Sequence, residues 1–138
     1  PTHTDTGFDL NDTIYKQTLI PLTPYGQTVI FKNRFYGVAT FFTIDEKVLL
    51  EDSPNNTLNG RNRRSSAHIK PGETKKFDSE IHKKYLVHEN IENLKGLEVE
   101  FIFDWSPGDM LIFDRSHLHA ASSNINNFKT GIATFYKK

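Results

Sequence analysis

The sequence predicts a single all-β domain, a barrel or a sandwich, and its short apolar segments are the main reason. Six segments are rich in β-branched and aromatic residues and are bounded by Pro, Gly, Asn or Asp, as strands usually are. In chain order they are KQTLIPL, QTVIFK, VATFFTI, LEVEFIF, DMLIF and TGIATFY. The fourth continues into DW and alternates apolar with polar residues, so we expect one face on the core and one in water. Its apolar face would hold Leu97, Val99, Phe101, Phe103 and Trp105.

Residues 51–96 interrupt this strand pattern. Their first part is polar and Asn-rich, and its arginine cluster, GRNRRSS, has no interleaved aromatic residues. We therefore expect a solvated loop there and no nucleic-acid contact. Asp78 and Asn90 are typical N-caps and predict short helices over SEIHKKYLV and IENLKG, with Gly96 just past the second. The expected organisation is one domain over residues 1–138, with 51–96 as an insertion.

Composition excludes several classes of function. The 138 residues include 17 Lys plus Arg and 17 Asp plus Glu, so the formal net charge is zero. A neutral chain favours neither nucleic acid nor an anionic membrane as a partner. Cysteine is absent, which excludes a disulfide framework and a thiolate zinc site and is typical of a reducing compartment. We expect a cytoplasmic protein, and no apolar run is long enough to span a membrane.

Two stretches carry residues that bind transition metals. His3 and Asp5 are two positions apart in PTHTDTGF, so on an extended strand both side chains point the same way. An imidazole and a carboxylate on one face are suitable ligands for a divalent transition metal. The second stretch, GDMLIFDRSHLHAASSN, places His117 and His119 on one strand face just before small residues. Taken alone, a histidine in such a strand is more often a hydrogen-bonded core residue than a ligand.

A lysine follows one strand later, in NNFKTGIATFY. Lys129 shares a strand face with Gly131 and Ala133, whose small side chains leave space beside it. If this face points inward, the ammonium needs an anion, because an unpaired buried charge is costly. If the face points to solvent, no partner is required, and the pattern alone favours neither arrangement.

Together these stretches resemble the Fe(II)/2-oxoglutarate-dependent dioxygenase superfamily, most closely its prolyl 4-hydroxylase-like and phytanoyl-CoA dioxygenase-like members. The resemblance covers nearly the whole chain, from HTDTG through KQTLIPL and GQTVIFK to FKTGIATFY. It implies a double-stranded β-helix, also called a jelly roll and related to the cupins, with a 2-His-1-carboxylate iron site. It also implies an enzyme that uses dioxygen and 2-oxoglutarate to hydroxylate a small molecule or peptide, releasing succinate and CO2.

The resemblance also assigns roles to individual residues. His3, Asp5 and His119 would hold Fe(II), and Lys129 would bind the far carboxylate of 2-oxoglutarate. The spacing to Lys129 favours His119, ten positions before it, without excluding His117, twelve positions before it; His119 is preferred because the family's ligand usually lies directly before small residues. His117 would then line the pocket or pack beside it.

The 2-oxoglutarate anchor has a rival on the first long strand. Some superfamily members draw their lysine from the strand after the His-x-Asp motif, which here carries Lys16. Thr18 on the same strand is a candidate hydroxyl donor to the cosubstrate. A strand residue such as Lys16 is more often solvent-facing, so Lys129 is the preferred anchor.

The chain departs from the family pattern at its start. Family members normally have strands and helices before the first iron histidine, which is residue 3 here. We therefore expect a fragment of a longer protein, or a sheet completed by a partner such as a second copy. Two other classes stay open: a metal-binding cupin-like protein without 2-oxoglutarate chemistry, and a catalytically silent jelly-roll binding module.

Overall fold

The computed structural model describes residues 2–5, 14–36, 41–42, 64–65 and 69–137. Most of the regular structure in these residues is β-strand, which confirms the predicted all-β class. The strands are β1 (Ile14–Pro21), β2 (Gln27–Arg34), β3 (Phe41–Phe42), β4 (Arg64–Ser65), β5 (Val99–Asp104), β6 (Leu111–Asp114), β7 (His117–Ala121) and β8 (Gly131–Lys137).

Six of these strands form two antiparallel sheets of three strands each. Sheet 1 has the order β6–β1–β8 and sheet 2 the order β5–β2–β7. From β5 onward, successive strands cross from one sheet to the other. The separate two-residue pairing of β3 with β4 is parallel, and β4 lies within the arginine-rich segment that the sequence analysis expects to be a loop.

An interior cluster of apolar side chains lies between the two sheets. Ile30 of β2 packs there with Leu111 and Phe113 of β6, and Leu19 and Phe103 complete the cluster. Members come from both sheets, so the sheets face each other across it. Burial of this apolar surface is the main force that holds the sheets together.

The other face of sheet 2 is covered by the segment between β4 and β5. Helix α1 spans Ser79–Tyr85 and a 3-10 helix spans Ile91–Leu94. Asp78 and Asn90 accept hydrogen bonds from first-turn backbone N–H groups, which confirms both predicted N-caps. None of the described helices has the length and apolar character needed to cross a membrane. The buried residues of this helical-side cluster are Val29, Phe31, Phe77, Leu86, Leu94, Leu97, Leu118 and Ala120.

The prediction of one continuous apolar face in LEVEFIFDW is wrong. In the pairing of β5 with β2, Phe101 is opposite Ile30 and Val99 is opposite Phe31. Moving by one residue along β2 therefore corresponds to moving by two residues along β5. Such a β-bulge reverses the side of the sheet to which later side chains point. Val99 therefore packs on the helical side, whereas Phe103 joins the interior cluster.

Candidate metal centre

His3, Asp5 and His119 converge at one edge of the interior. One ligand atom from each residue lies within 4.8 Å of the other two. The Asp5 carboxylate bridges the rings: Oδ1 is 3.1 Å from His3 Nε2, and Oδ2 is 3.3 Å from His119 Nε2. The structure thus brings together the three side chains that the family resemblance assigns as ligands.

Backbone pairing fixes this arrangement. The N–H of His3 donates to the carbonyl of His119 (2.9 Å), and the N–H of His119 donates to the carbonyl of His3 (3.0 Å). The two residues form an isolated antiparallel bridge at the free side of β7. On its other side β7 pairs with β2, where Ile30 is opposite His119. The segment that carries His3 and Asp5 therefore pairs with the edge of sheet 2, next to β7.

The Asp5 side chain is the anionic member of the group. Burial alone would raise its pKa, but hydrogen bonds and charge interactions with His119 and His3 together outweigh burial and hold the pKa well below its usual range. Asp5 is therefore ionised at neutral pH and presents two carboxylate oxygens between the imidazole rings.

His119 shows why a cation fits between these groups. Its side chain is only 4% exposed, and this burial lowers its pKa, although the neighbouring Asp5 acts in the opposite direction. Its Nδ1 lies 3.2 Å from the carbonyl of His117, and its Nε2 lies 3.3 Å from Asp5 Oδ2. A proton on Nε2 makes the second contact a hydrogen bond, and in the tautomer with the proton on Nδ1 a metal ion bound to Nε2 can take its place.

His117 does not join the three ligands. Its Nδ1 lies 3.0 Å from the carbonyl of Asp114, and its Nε2 lies 3.1 Å from a carboxylate oxygen of Glu100. Both ring nitrogens are therefore occupied by partners away from Asp5. The backbone carbonyl of His117 has a supporting role, because it fixes the ring orientation of His119 as partners behind metal-binding histidines commonly do.

A buried carboxylate that the sequence analysis missed holds the N-terminal segment. Glu89 is 7% exposed and accepts hydrogen bonds from the backbone N–H and from the hydroxyl of Thr2, the latter at 3.1 Å. Glu89 lies between α1 and the 3-10 helix, so the insertion is tied to the residue directly before His3. An acidic residue between two predicted helices is not a specific signal, and only the fold shows this contact.

Lys129 lies at the other end of the interior. Its Nζ donates to the carbonyl of Gln27 (2.6 Å) and is 4.0 Å from the ring centroid of Trp105. The indole of Trp105 donates to Thr28 Oγ1 (2.8 Å), on the face of β2 that carries Ile30. Among the described residues, no carboxylate lies within 4.0 Å of this ammonium, and burial lowers the pKa of Lys129 to about 8.

The structure does not bring Lys16 and Thr18 to this interior. Both lie on the face of β1 opposite to that of Leu19, which belongs to the interior cluster. Lys16 is exposed, and the hydroxyl of Thr18 is hydrogen-bonded to that of Thr134 on β8. Lys129 is the predicted cosubstrate residue that points toward the interior.

Comparison of the chain with protein-family models, with curated proteins and with solved structures finds no significant match. The case for a metal centre therefore depends on its own geometry and chemistry. Two imidazoles and one carboxylate suit a divalent first-row metal such as Fe(II), which takes nitrogen and oxygen ligands. The anionic Asp5 between two imidazoles, one of them almost fully buried, is the observation that favours a bound cation.

Proposed function

We propose that the protein is an Fe(II)- and 2-oxoglutarate-dependent oxygenase that hydroxylates a small molecule or peptide. The observation that carries the proposal is the convergence of His3, Asp5 and His119 within 4.8 Å. This 2-His-1-carboxylate set is the donor set of non-haem Fe(II) oxygenases, and it leaves coordination positions open. With dioxygen as the oxidant, bound Fe(II) and 2-oxoglutarate would supply an oxidation that puts one oxygen atom into succinate and the other into a hydroxyl group on the substrate, with release of CO2.

The position of Lys129 supports a dicarboxylate as the second component. Lys129 contacts β2 at Gln27, and His119 pairs with β2 at Ile30. Three residues along a strand correspond to about 10 Å. A five-carbon dicarboxylate held by a metal at one end can cross a gap of this order. Its far carboxylate would give the half-buried ammonium the anionic partner that a desolvated cation requires.

The strand arrangement supports a double-stranded β-helix. In a jelly roll, two Greek keys place successive strands in opposite sheets. Here β5, β6, β7 and β8 alternate between sheet 2 and sheet 1, and β1 pairs with both β6 and β8. The bridge between His3 and His119 adds a position beside β7 in sheet 2.

The protein's own groups would divide the work of the site. The metal would be held by His3, Asp5 and His119, which together contribute one negative charge. A divalent metal bound to them would therefore keep a net positive charge and attract an anionic cosubstrate. The ring of Phe113 lies 5.0 Å from that of His119 and shields it from water on the side of sheet 1. Lys129, braced by Gln27 and Trp105, would orient the far carboxylate.

Turnover of 2-oxoglutarate without an added substrate tests the proposal, because the substrate is not needed for slow, uncoupled reaction. We expect the wild-type protein with Fe(II) and oxygen to release succinate, and Asp5→Ala to release none. Metal binding without any succinate would instead indicate a cupin-like metal protein. A chain that binds neither metal nor 2-oxoglutarate would indicate a jelly-roll binding module.

A further inference from the structure

One buried side chain on the interior face has no partner within the described part of the chain. Gln17 is 1% exposed, and neither Oε1 nor Nε2 of its carboxamide makes a hydrogen bond. Burying an amide without hydrogen bonds is costly, and native proteins leave few such groups. A leucine or methionine would fill the same position without that cost. The retained polarity of Gln17 therefore points to a ligand.

Gln17 lies beside the metal centre. It is opposite Phe113 in the pairing of β1 with β6, so the two side chains share a face. That face is the interior one, because Leu19, two residues along β1, belongs to the interior cluster. The ring of Phe113 is 5.0 Å from the ring of His119. One aromatic ring thus separates the unpaired carboxamide from a metal-ligand residue.

The interior beside Gln17 is more exposed on the side next to β8 than on the side next to β6. In the pairing of β1 with β8, Gln17 is opposite Phe135, which is 42% exposed. Ala133, the next residue of β8 on that face, is also exposed. On the β6 side, by contrast, Leu111 and Phe113 are buried. The exposed Phe135 thus lies one strand away from Gln17, which is itself 1% exposed, so a ligand that enters over β8 must displace side chains to reach the carboxamide.

We propose that Gln17 is a specificity-determining residue that binds the substrate beside the metal centre, and that this substrate carries a carboxamide group. The proposal rests on the proposed oxygenase function and names its substrate class. Oε1 accepts and Nε2 donates, and both are unsatisfied, so the complementary group offers a donor and an acceptor side by side. A primary carboxamide does so. A carboxylate has no proton to donate and would leave the Oε1 acceptor unsatisfied.

Thermal unfolding of the ligand-free protein gives the first test. Gln17→Met keeps the length of the side chain and removes both unpaired polar atoms. We expect its unfolding midpoint to rise by about 3 °C or more, because an unpaired buried amide is replaced by an apolar group. Gln17→Leu repeats the test with a different shape. If the midpoint falls in both variants, Gln17 has a structural partner such as an internal water, and the proposal is overturned.

Matched amide probes give the second test. Propanamide has N–H donors, whereas N,N-dimethylpropanamide has none. Measured by saturation-transfer NMR, wild-type protein should bind propanamide about tenfold or more tightly than the dimethyl compound, and Gln17→Met should lose this preference. Ile132→Ala, an exposed change on β8, serves as the control and should retain it. Equal binding of both probes by wild type, or a preference that survives in Gln17→Met, overturns the proposal.

A Co(II)-loaded sample separates this proposal from the proposed function. Paramagnetic Co(II) should broaden the resonances of bound propanamide, because Gln17 is one ring away from His119. If Co(II) binds and bound propanamide is not broadened, the probe site is elsewhere and the proposal is overturned. If Co(II) does not bind, the metal centre fails, whereas the probe preference and the unfolding midpoint still decide whether Gln17 binds a carboxamide.

Discussion

The two ends of the interior hold charged groups in opposite arrangements. At the metal centre, Asp5 has an imidazole on each side, and these partners outweigh burial and hold its pKa below the usual range. At the other end, Lys129 has a carbonyl and an aromatic ring but no carboxylate among the described residues. Burial acts there without opposition and lowers the pKa of Lys129 to about 8.

This difference favours different ligands at the two ends. An ionised carboxylate between two imidazoles favours a bound cation, whereas a half-buried ammonium with no carboxylate near it among the described residues favours a bound anion. The proposed divalent metal with a bound dicarboxylate would suit both ends at once. The following changes test each end separately and then the connection between them.

The largest effect is expected at the metal centre, where two nearby histidines form a matched pair. His119→Ala should weaken anaerobic Fe(II) binding by more than about 100-fold, because even changes in residues behind metal ligands cost up to that much. His117→Ala should have a far smaller effect, since its backbone carbonyl still orients His119. Isothermal titration of both variants decides the matter, and the reverse ranking would assign the ligand role to His117.

The next largest effect is expected at the lysine end. Lys129→Met removes one charge-assisted contact and should weaken 2-oxoglutarate binding by about 2–4 kcal/mol, or roughly thirty- to a thousandfold. Fe(II) affinity should be unchanged, because Lys129 is not a ligand. Trp105 is the protein's single tryptophan and contacts Lys129, so its fluorescence reports the binding. The exposed Lys16→Met is the control; if it alone abolishes binding, the anchor is Lys16.

A smaller effect on the metal centre is expected from Glu89, which holds the residue before His3. Glu89→Ala removes the acceptor for the N–H and hydroxyl of Thr2 and should weaken Fe(II) binding about tenfold. Glu89→Gln keeps an acceptor oxygen and should restore most of the affinity. Leu94→Ala removes a buried side chain of the helical-side cluster and controls for lost stability alone. Equal metal affinities in Glu89→Ala and Leu94→Ala would reduce Glu89 to a structural role.

The smallest effect is a pH dependence at the lysine end. The pKa of Lys129 is lowered to about 8 by burial, so its charge is present below pH 8 and is lost as the pH rises through that value. The affinity for 2-oxoglutarate should therefore be nearly constant below about pH 7 and fall several-fold between about pH 7 and pH 9. Lys129→Arg keeps its charge and should remove this dependence. An identical decline in Lys129→Arg would place the titrating group elsewhere.

The parts of the fold that depend on local chemistry could be predicted from the sequence. Asp78 and Asn90 cap their helices because a side-chain acceptor before a helix meets free N–H groups whatever the tertiary structure. The alternation in LEVEFIF, however, misplaced Val99, because the β-bulge that reverses its face depends on pairing with β2. Periodicity within one strand contains no information about its partner.

In the candidate site, too, the features set by local sequence were predicted and those set by distant contacts were not. The spacing of His3 and Asp5 places both side chains on one face in any extended strand, and the structure brings them to His119. Glu89 and Gln17 were not recognised, because their importance comes from contacts across sequence separations that no local pattern records. Glu89 meets Thr2 from 87 residues away. Gln17 is distinctive only because its carboxamide is buried beside Phe113 without a partner.

Anaerobic spectroscopy tests the central claim most directly, because it requires both ends of the interior at once. Wild-type protein is titrated first with Fe(II) and then with 2-oxoglutarate, and His119→Ala is treated in the same way. We expect wild type to develop the weak visible charge-transfer band of an Fe(II) chelate only after 2-oxoglutarate is added, and His119→Ala to develop none. Absence of the band in Fe(II)-loaded wild type, or an equal band in His119→Ala, would contradict the account.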